Sequence, residues 1–176
     1  MKYKKLSPEE FMAIYHKVPR ATVDVVIKTE KGILLTKRSI PPFKGMWHIP
    51  GGTILFRESI AHAINRIVDD ELGIKVKIIH PLGVIECFEE DGRHTISNAY
   101  LAEIREGKPK GSNQGKEISY FKKIPENCIP FQKKFLEKIR YPRFTPSIML
   151  ERKFLRGFLN DSHDLKPDEK ELFALL

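Results

Sequence analysis

The chain has 176 residues, 41% of them hydrophobic, which is enough for one well-buried core but short for two independent domains. Its 31 lysines and arginines outnumber 23 acidic residues, and the formal charge of +8 favours anionic partners such as nucleotides, nucleic acid or an acidic membrane surface. Two cysteines of featureless spacing, Cys87 and Cys128, argue against a disulfide framework or a zinc site, and no membrane-helix or signal-peptide pattern is present, so we expect a cytoplasmic protein without membrane association.

The first half of the chain predicts a helix, a hairpin and a second helix. In "LSPEEFMAIYHKV", Ser7 and Glu10 match an N-cap and its capping-box acid. "ATVDVVIKT" and "ILLTKR" are aliphatic or β-branched runs separated by "EKG", which predicts two strands joined by a tight turn. Residues 59–72 carry apolar side chains four apart, and Gly73 is placed to end that helix.

The second half begins with strands and ends with amphipathic segments. "KVKIIH", "LGVIECFEE" and "HTISNAYLAEI" alternate well enough for strands, the last two joined by "DGR". Residues 105–117 are rich in glycine and lysine and predict an exposed loop, whose Lys108, Lys110 and Lys116 either steer phosphate or stay solvated. Residues 126–176 predict two or three added helices.

The second helix ends in acids that could bind a metal ion. On a helical wheel Asp70 and Glu71 lie along one rim, and the Gly51–Gly52 turn allows backbone carbonyls to approach closely. Such an all-oxygen site suits a hard divalent cation such as Mg²⁺, with Mn²⁺ as an alternative. An ion pair between Glu58 and Arg66 would hold the loop against the helix. A solvated acidic helix end explains the same residues equally well.

This segment resembles the Nudix box, G-x5-E-x7-R-E-U-x-E-E-x-G-U, in which U is aliphatic. Asp70 stands where the family has the first glutamate of the final acidic pair, and Ile67 stands where it has the glutamate after the arginine. The second departure implies weaker metal binding or a subtype that needs fewer ions. The matching residues are Gly52, Glu58, Arg66, Val68, Glu71, Gly73 and Ile74.

The GDP-mannose mannosyl hydrolase subtype of the family also lacks that glutamate, and the chain is similar to it over residues 6–125. "LSPEEF", Asp24 in "VDVVI" and "TKRSIPPFKGMWHIPGG" carry the likeness. The resemblance implies one Mg²⁺ held by the Gly51 carbonyl, Glu71 and Gln114. It also implies that water attacks the anomeric carbon of the sugar.

The same resemblance implies that Arg38 contacts the diphosphate and that Asp24 lies near the sugar or the metal. A histidine follows the metal-binding glutamine in that subtype, whereas this chain has Gly115 there. Glu117 is therefore the predicted base or replacement metal ligand.

Each further candidate has a structural alternative. Without the resemblance, Arg38 is typical of a solvated arginine at a strand end. Asp24 interrupts an aliphatic strand, which indicates a buried or site-facing carboxylate, with an edge position facing water as the alternative. His94 could touch substrate, although structural histidines are commoner. Phe43 and Trp47 could stack on a base, and core packing suits Trp47 better.

We expect an α/β protein, specifically a Nudix-type α/β/α sandwich with a mixed β-sheet. Residues 1–125 would form the Nudix domain, and residues 126–176 a helical extension packed on the same domain or on a dimer partner.

The leading functional hypothesis is Mg²⁺-dependent hydrolysis of a nucleotide sugar, GDP-mannose or GDP-glucose, to GDP and hexose. The second is a pyrophosphohydrolase that attacks phosphorus in ADP-ribose or a nucleoside triphosphate. The third is a non-catalytic nucleotide-sensing or RNA-binding module, although nucleic acid is the less favoured partner. A homodimer is also expected.

Overall fold

The computed structural model describes residues 5–88, 92–112 and 115–140, so the helices predicted beyond residue 140 and the metal ligand predicted at Gln114 lie outside the described residues. The first compact unit of the chain runs to Ile139. Its elements in chain order are α1 (Pro8–Tyr15), β1 (Arg20–Thr29), β2 (Gly32–Lys37), β3 (Trp47–His48), β4 (Gly51–Thr53), α2 (Ile60–Leu72), β5 (Lys75–Phe88), β6 (His94–Glu106), β7 (Glu117–Phe121) and α3 (Pro130–Arg140).

One mixed sheet organises the described strands. Its main order is β3-β2-β1-β6-β5, β7 pairs with β2, and β1 runs parallel to β6. β1 changes partner along one edge: Ile27–Thr29 pairs with β2, whereas Thr22–Asp24 pairs with β4. The sheet therefore forks at the middle of β1, and the fork opens a gap between β2 and β4.

Helices cover the two faces of this sheet. On one face, α2 buries Ile64, Val68 and Leu72 against Val23, Val25 and Ile27 of β1. On the other face, α3 buries Leu136 in a second cluster with Leu35 and Ile49. The two cores lie on opposite sides because successive residues of a strand point to opposite faces. This arrangement confirms the predicted α/β/α sandwich.

The local signals in the sequence act as expected. α1 has the predicted capping box between Ser7 and Glu10, and α2 begins at an N-cap serine and ends at Gly73 in the left-handed conformation, with φ of 63°. The β1–β2 hairpin is also present.

Two predicted elements differ from the structure. "KVKIIH" and "LGVIECFEE" lie in one continuous strand, β5. Its pairing register with β6 shifts near Ile78 and Pro81, where the two predicted strands meet. α3 packs through Leu136 into the second core cluster of the first unit. Among the described residues, none of the helices is sufficiently long and apolar to cross a membrane.

Candidate active site

A cleft of about 980 Å³ lies at the fork in the sheet. Its walls come from α1, the first half of β1, the loop between β4 and α2, the last turn of α2, and the first turn of α3. Six of the predicted site residues line it, namely Asp24, Arg38, Phe43, Gly51, Asp70 and Glu71. The fold therefore gathers residues that are up to 47 positions apart in sequence, since 71 − 24 = 47.

The backbone at Gly51 packs against Asp24. The two residues face each other across the antiparallel pair of β4 and β1. A β-carbon at position 51 would overlap a carboxylate oxygen of Asp24 and lie 2.7 Å from the carbonyl oxygen of Val23. Only glycine allows this approach, so the Gly-Gly turn brings its peptide groups directly to the Asp24 carboxylate.

Asp24 is a buried acid with an altered pKa. Only 7% of the residue is exposed, and burial raises its pKa from 3.8 to about 6. Ser97, Arg20 and Gln132 each partly offset this rise. Gln132 does so through its side-chain Nε2, which donates to Asp24 Oδ1 over 3.2 Å.

Glu71 is the second acid of the cleft with an altered pKa. We call the part of the cleft lined by Asp24, Glu71 and the Gly51 turn the acidic corner. Burial, followed by the charge of Asp24, raises its pKa from 4.5 to about 8, against the lowering effects of Arg38 and the Gly51 N–H. The two carboxylates line the same cleft and repel each other when both are ionised. A bound cation would relieve this repulsion.

The donor set of the corner fits Mg²⁺. Within the described ranges, no three His, Cys, Asp or Glu side chains form a metal-binding group. A cation held by Glu71 and a carbonyl of the Gly51 turn would therefore complete its shell with water or substrate oxygens, as Mg²⁺ commonly does. Asp70 lines the same cleft but is half exposed, and its Oδ2 lies 3.4 Å from Lys5 Nζ. Asp70 is thus the weaker candidate ligand.

Arg38 and Phe43 line the cleft from the segment between β2 and β3. Arg38 follows β2, and its guanidinium donates to the carbonyls of Pro41 and Pro42. Its positive charge lowers the pKa of Glu71, and the residue lines the same cleft. Phe43 has a φ of 64° and meets the Phe131 ring edge to face at 5.8 Å, so an aromatic wall borders the cleft.

The ion pair predicted between Glu58 and Arg66 is present. Arg66 Nε and Nη2 each donate to one Glu58 carboxylate oxygen over 2.7 Å, a two-point contact that fixes both side chains. The same Nη2 donates to the Thr53 carbonyl, and Glu58 accepts from the Leu55 N–H. The pair therefore attaches β4 and its following loop to α2.

Two predicted site residues lie outside the cleft. His94 Nε2 is 3.0 Å from Glu86 Oε1, and its ring stacks on Phe88; since its neighbour Thr95 lines the cleft, His94 occupies the opposite face of β6. A contact between His94 and substrate stays a prediction. The Glu117 carboxylate is largely exposed and pairs with Lys37 Nζ at 3.1 Å. Neither side chain reaches the corner formed by Asp24 and Glu71.

Two buried side chains of the cleft were not anticipated. His48 Nδ1 donates to the Ile49 carbonyl, which can only accept, so its Nε2 accepts from the Thr36 hydroxyl at 2.8 Å. Burial lowers the pKa of His48 to about 4 and keeps the ring neutral. Gln132 could have been found from its pattern, because it occupies an apolar-stripe position four residues before Leu136.

Comparison with known proteins identifies the fold. A sequence profile described as "NUDIX domain" matches residues 18–146. The chain belongs to the Nudix family. Members of this family hydrolyse nucleoside diphosphate compounds with divalent metal ions, in agreement with the acidic corner beside the Gly51 turn.

The chain is similar to proteins with different names and described activities. It is 30% identical over 142 residues to the low-salt glycan biosynthesis protein Agl8 of Haloferax volcanii, covering 77% of this chain and 91% of that protein. It is 30% identical over 126 residues to an ADP-ribose pyrophosphatase of Methanocaldococcus jannaschii, covering 70% and 75%. The crystal structure of a MutT NUDIX hydrolase from Burkholderia pseudomallei has a TM-score of 0.64 at 27% identity, covering 68% of this chain and 97% of that one.

The main departure from the Nudix box has a clear structural counterpart. Ile67, which replaces a glutamate of the box, is 3% exposed and belongs to the core cluster beneath α2. Its Cδ1 would lie 3.3 Å from a β-carbon built at Gly52, so its side chain packs under the Gly-Gly turn. Where the box has a carboxylate, this Nudix protein has an apolar side chain that packs against the Gly-Gly turn.

Replacement of Glu58 tests the ion pair that holds the Nudix box. The Arg66 contacts lower the pKa of Glu58 from 4.5 to about 2 in spite of burial. This shift corresponds to stabilisation on the order of 3 kcal/mol at neutral pH. Because the folded-state pKa is the lower one, this stability is present above about pH 5 and is lost as the pH falls through about 2. Glu58→Gln should therefore be much less stable than wild type at neutral pH.

Urea unfolding in EDTA at several pH values measures this difference. The gap between wild type and Glu58→Gln should stay constant from neutral pH down to about pH 5 and narrow as the pH falls further towards about 2. Glu106→Gln is the matched control, since Glu106 forms an exposed ion pair with Lys75 and its loss should change stability little. A gap of constant size across the pH range would contradict the assignment.

Proposed function

We propose that the protein hydrolyses a nucleotide sugar in the presence of Mg²⁺, releasing a nucleoside diphosphate and the free hexose by attack of water at the anomeric carbon. GDP-mannose and GDP-glucose are the first candidate substrates, because the sequence resembles the GDP-mannose mannosyl hydrolase subtype. The observation that carries the proposal is Ile67, which puts a buried hydrocarbon where other members have a metal-binding carboxylate. The similarity to a glycan biosynthesis protein also favours a sugar substrate.

The loss of that carboxylate suits displacement at carbon better than displacement at phosphorus. Attack on phosphorus benefits from several cations around the reacting atom. Attack on the anomeric carbon instead needs a good leaving group and a base for the incoming water. In the proposed reaction the bond between the anomeric carbon and the β-phosphate oxygen breaks, and the nucleoside diphosphate leaves with the electron pair.

Residues of the cleft divide these tasks among them. Glu71 and the Gly51 carbonyl would hold Mg²⁺, with Gln114 as a further ligand, and the bound ion would stabilise negative charge on the leaving diphosphate. Arg38 binds the same diphosphate, while Phe43 borders the substrate. Asp24, the predicted catalytic carboxylate that lines the cleft, orients the attacking water and accepts its proton. Glu117, outside the cleft, would need to break its ion pair with Lys37 to take this role.

Pyrophosphohydrolysis is the second candidate function. The similarity to an ADP-ribose pyrophosphatase favours it, as does Gly115 in place of the histidine of the sugar-releasing subtype. In that case water attacks a phosphorus atom, and the sugar retains a phosphate group.

Hydrolysis in ¹⁸O-labelled water separates the two reactions. We expect turnover of a nucleotide sugar with Mg²⁺ to place the label in the hexose, because the water oxygen becomes the hydroxyl of the anomeric carbon. Mass analysis of both products measures this directly. Label in a phosphate product would overturn the proposal and establish the second candidate. Tight nucleotide binding without any turnover would instead indicate a sensing module.

Replacement of Glu71 tests the proposed metal site without relying on activity alone. Since burial and the charge of Asp24 disfavour the ionised Glu71, Glu71→Gln should unfold in EDTA at a temperature no lower than wild type. Mg²⁺ should raise the unfolding temperature of wild type and not that of the variant, and metal-dependent turnover should disappear.

The matched control for this experiment is Asp69→Asn. Asp69 is an exposed acid two residues away on the same helix, and its replacement should preserve both the Mg²⁺ shift and turnover. Full turnover in Glu71→Gln, or an unchanged Mg²⁺ shift, would remove Glu71 from the metal site.

A further inference from the structure

Gln132 joins α3 to both sides of the acidic corner. Its Nε2 donates to Asp24 Oδ1 over 3.2 Å, and its Oε1 accepts from the Ile49 N–H over 2.9 Å. The residue is 6% exposed and comes from the first turn of α3, 108 positions after Asp24. One side chain thus contacts β1 and the segment that leads into the Gly51 turn.

The position of Gln132 within its helix makes this contact unusual. It shares one face of α3 with Phe135, Leu136 and Ile139, which pack in the apolar cluster beneath the sheet. A buried amide at such a position costs free energy unless both its donor and its acceptor are satisfied. Here each end has a partner, so the amide fits this place only when Asp24 and Ile49 lie where the structure has them.

We infer that Gln132 is a positioning residue of the active site, which sets the Asp24 carboxylate and the Gly51 turn at their working distance from Glu71. This inference rests on the proposed function for its catalytic consequence, but not for its effect on metal binding. Ile49 is two residues before Gly51, so restraint of its N–H restrains the start of the turn. Asp24 and Gly51 face each other across β1 and β4, and the amide joins β1 to the segment that leads into β4.

The geometry also explains why the site needs such a restraint. Asp24 and Glu71 are like-charged when both are ionised, and repulsion would drive them apart. Glu58 and Arg66 hold the downstream end of the turn to α2. Gln132 holds its upstream end through its hydrogen bonds to the Ile49 N–H and to Asp24.

Gln132→Met tests the inference, because methionine has a similar shape and forms neither hydrogen bond. Mn²⁺ binding to the full chain, followed by electron paramagnetic resonance, should weaken by about tenfold or more, the range typical for residues that orient metal ligands. With a nucleotide sugar and saturating Mg²⁺, kcat should fall by a similar factor while KM stays within about twofold. Mn²⁺ affinity and kcat both within about twofold of wild type would overturn the inference.

Leu136→Ala is the matched control on the same helix. It removes buried packing one turn further on and should lower the unfolding temperature at least as much as Gln132→Met. Its Mn²⁺ affinity and kcat should match wild type at a temperature where the protein is folded. Equal losses in both variants would show that Gln132 acts only through the stability of α3, and would overturn its positioning role.

A double-mutant cycle shows whether Gln132 acts through Asp24. The losses in Mn²⁺ affinity caused by Gln132→Met and Asp24→Ala should be less than additive, whereas full additivity would contradict the inference. If Gln132→Met does not fold, Gln132→Asn, whose amide is one methylene shorter, is judged by the same criteria. Failure of wild type to turn over any nucleotide sugar would refute the proposed function, while the Mn²⁺ measurements would still decide the role of Gln132.

Discussion

The close packing of Gly51 against Asp24 is the constraint on which the rest of the site depends. β4 can pair with β1 at this register because position 51 has no β-carbon. The approach brings a backbone turn, a buried aspartate and Glu71 of α2 into one corner, where burial raises the pKa of both acids. Such a corner opposes folding by itself, and it is stabilised once a cation or a proton enters it.

The surrounding fold supports this corner from several sides. The Glu58–Arg66 pair ties the end of the Gly-Gly segment to α2, Ile67 packs beneath it, and Gln132 restrains its beginning from α3. These contacts come from α2 and α3, which pack on opposite faces of the sheet, so both core clusters stabilise the position of the site. An unfavourable charge arrangement can persist in this way when the structure around it is over-determined.

The sequence predicts features that depend on nearby residues, but it does not predict contacts between residues that are far apart in the chain. The helix caps at Ser7 and Gly73, the β1–β2 hairpin and the Glu58–Arg66 pair follow from short spacings. By contrast, the parallel pairing of β1 with β6 joins residues more than 70 positions apart, and no local pattern specifies it. The contact between Gln132 and Asp24 likewise spans 108 positions, and no local spacing predicts this pairing.

The most direct measurement is a crystal structure of the protein with Mg²⁺ and a non-hydrolysable nucleoside diphosphate sugar. The account predicts one cation bound by the Gly51 carbonyl and the Glu71 carboxylate at about 2.0–2.1 Å, with diphosphate oxygens completing its shell and Arg38 on the same diphosphate. A cation bound elsewhere, with Glu71 turned away from Gly51 in the liganded protein, would contradict it.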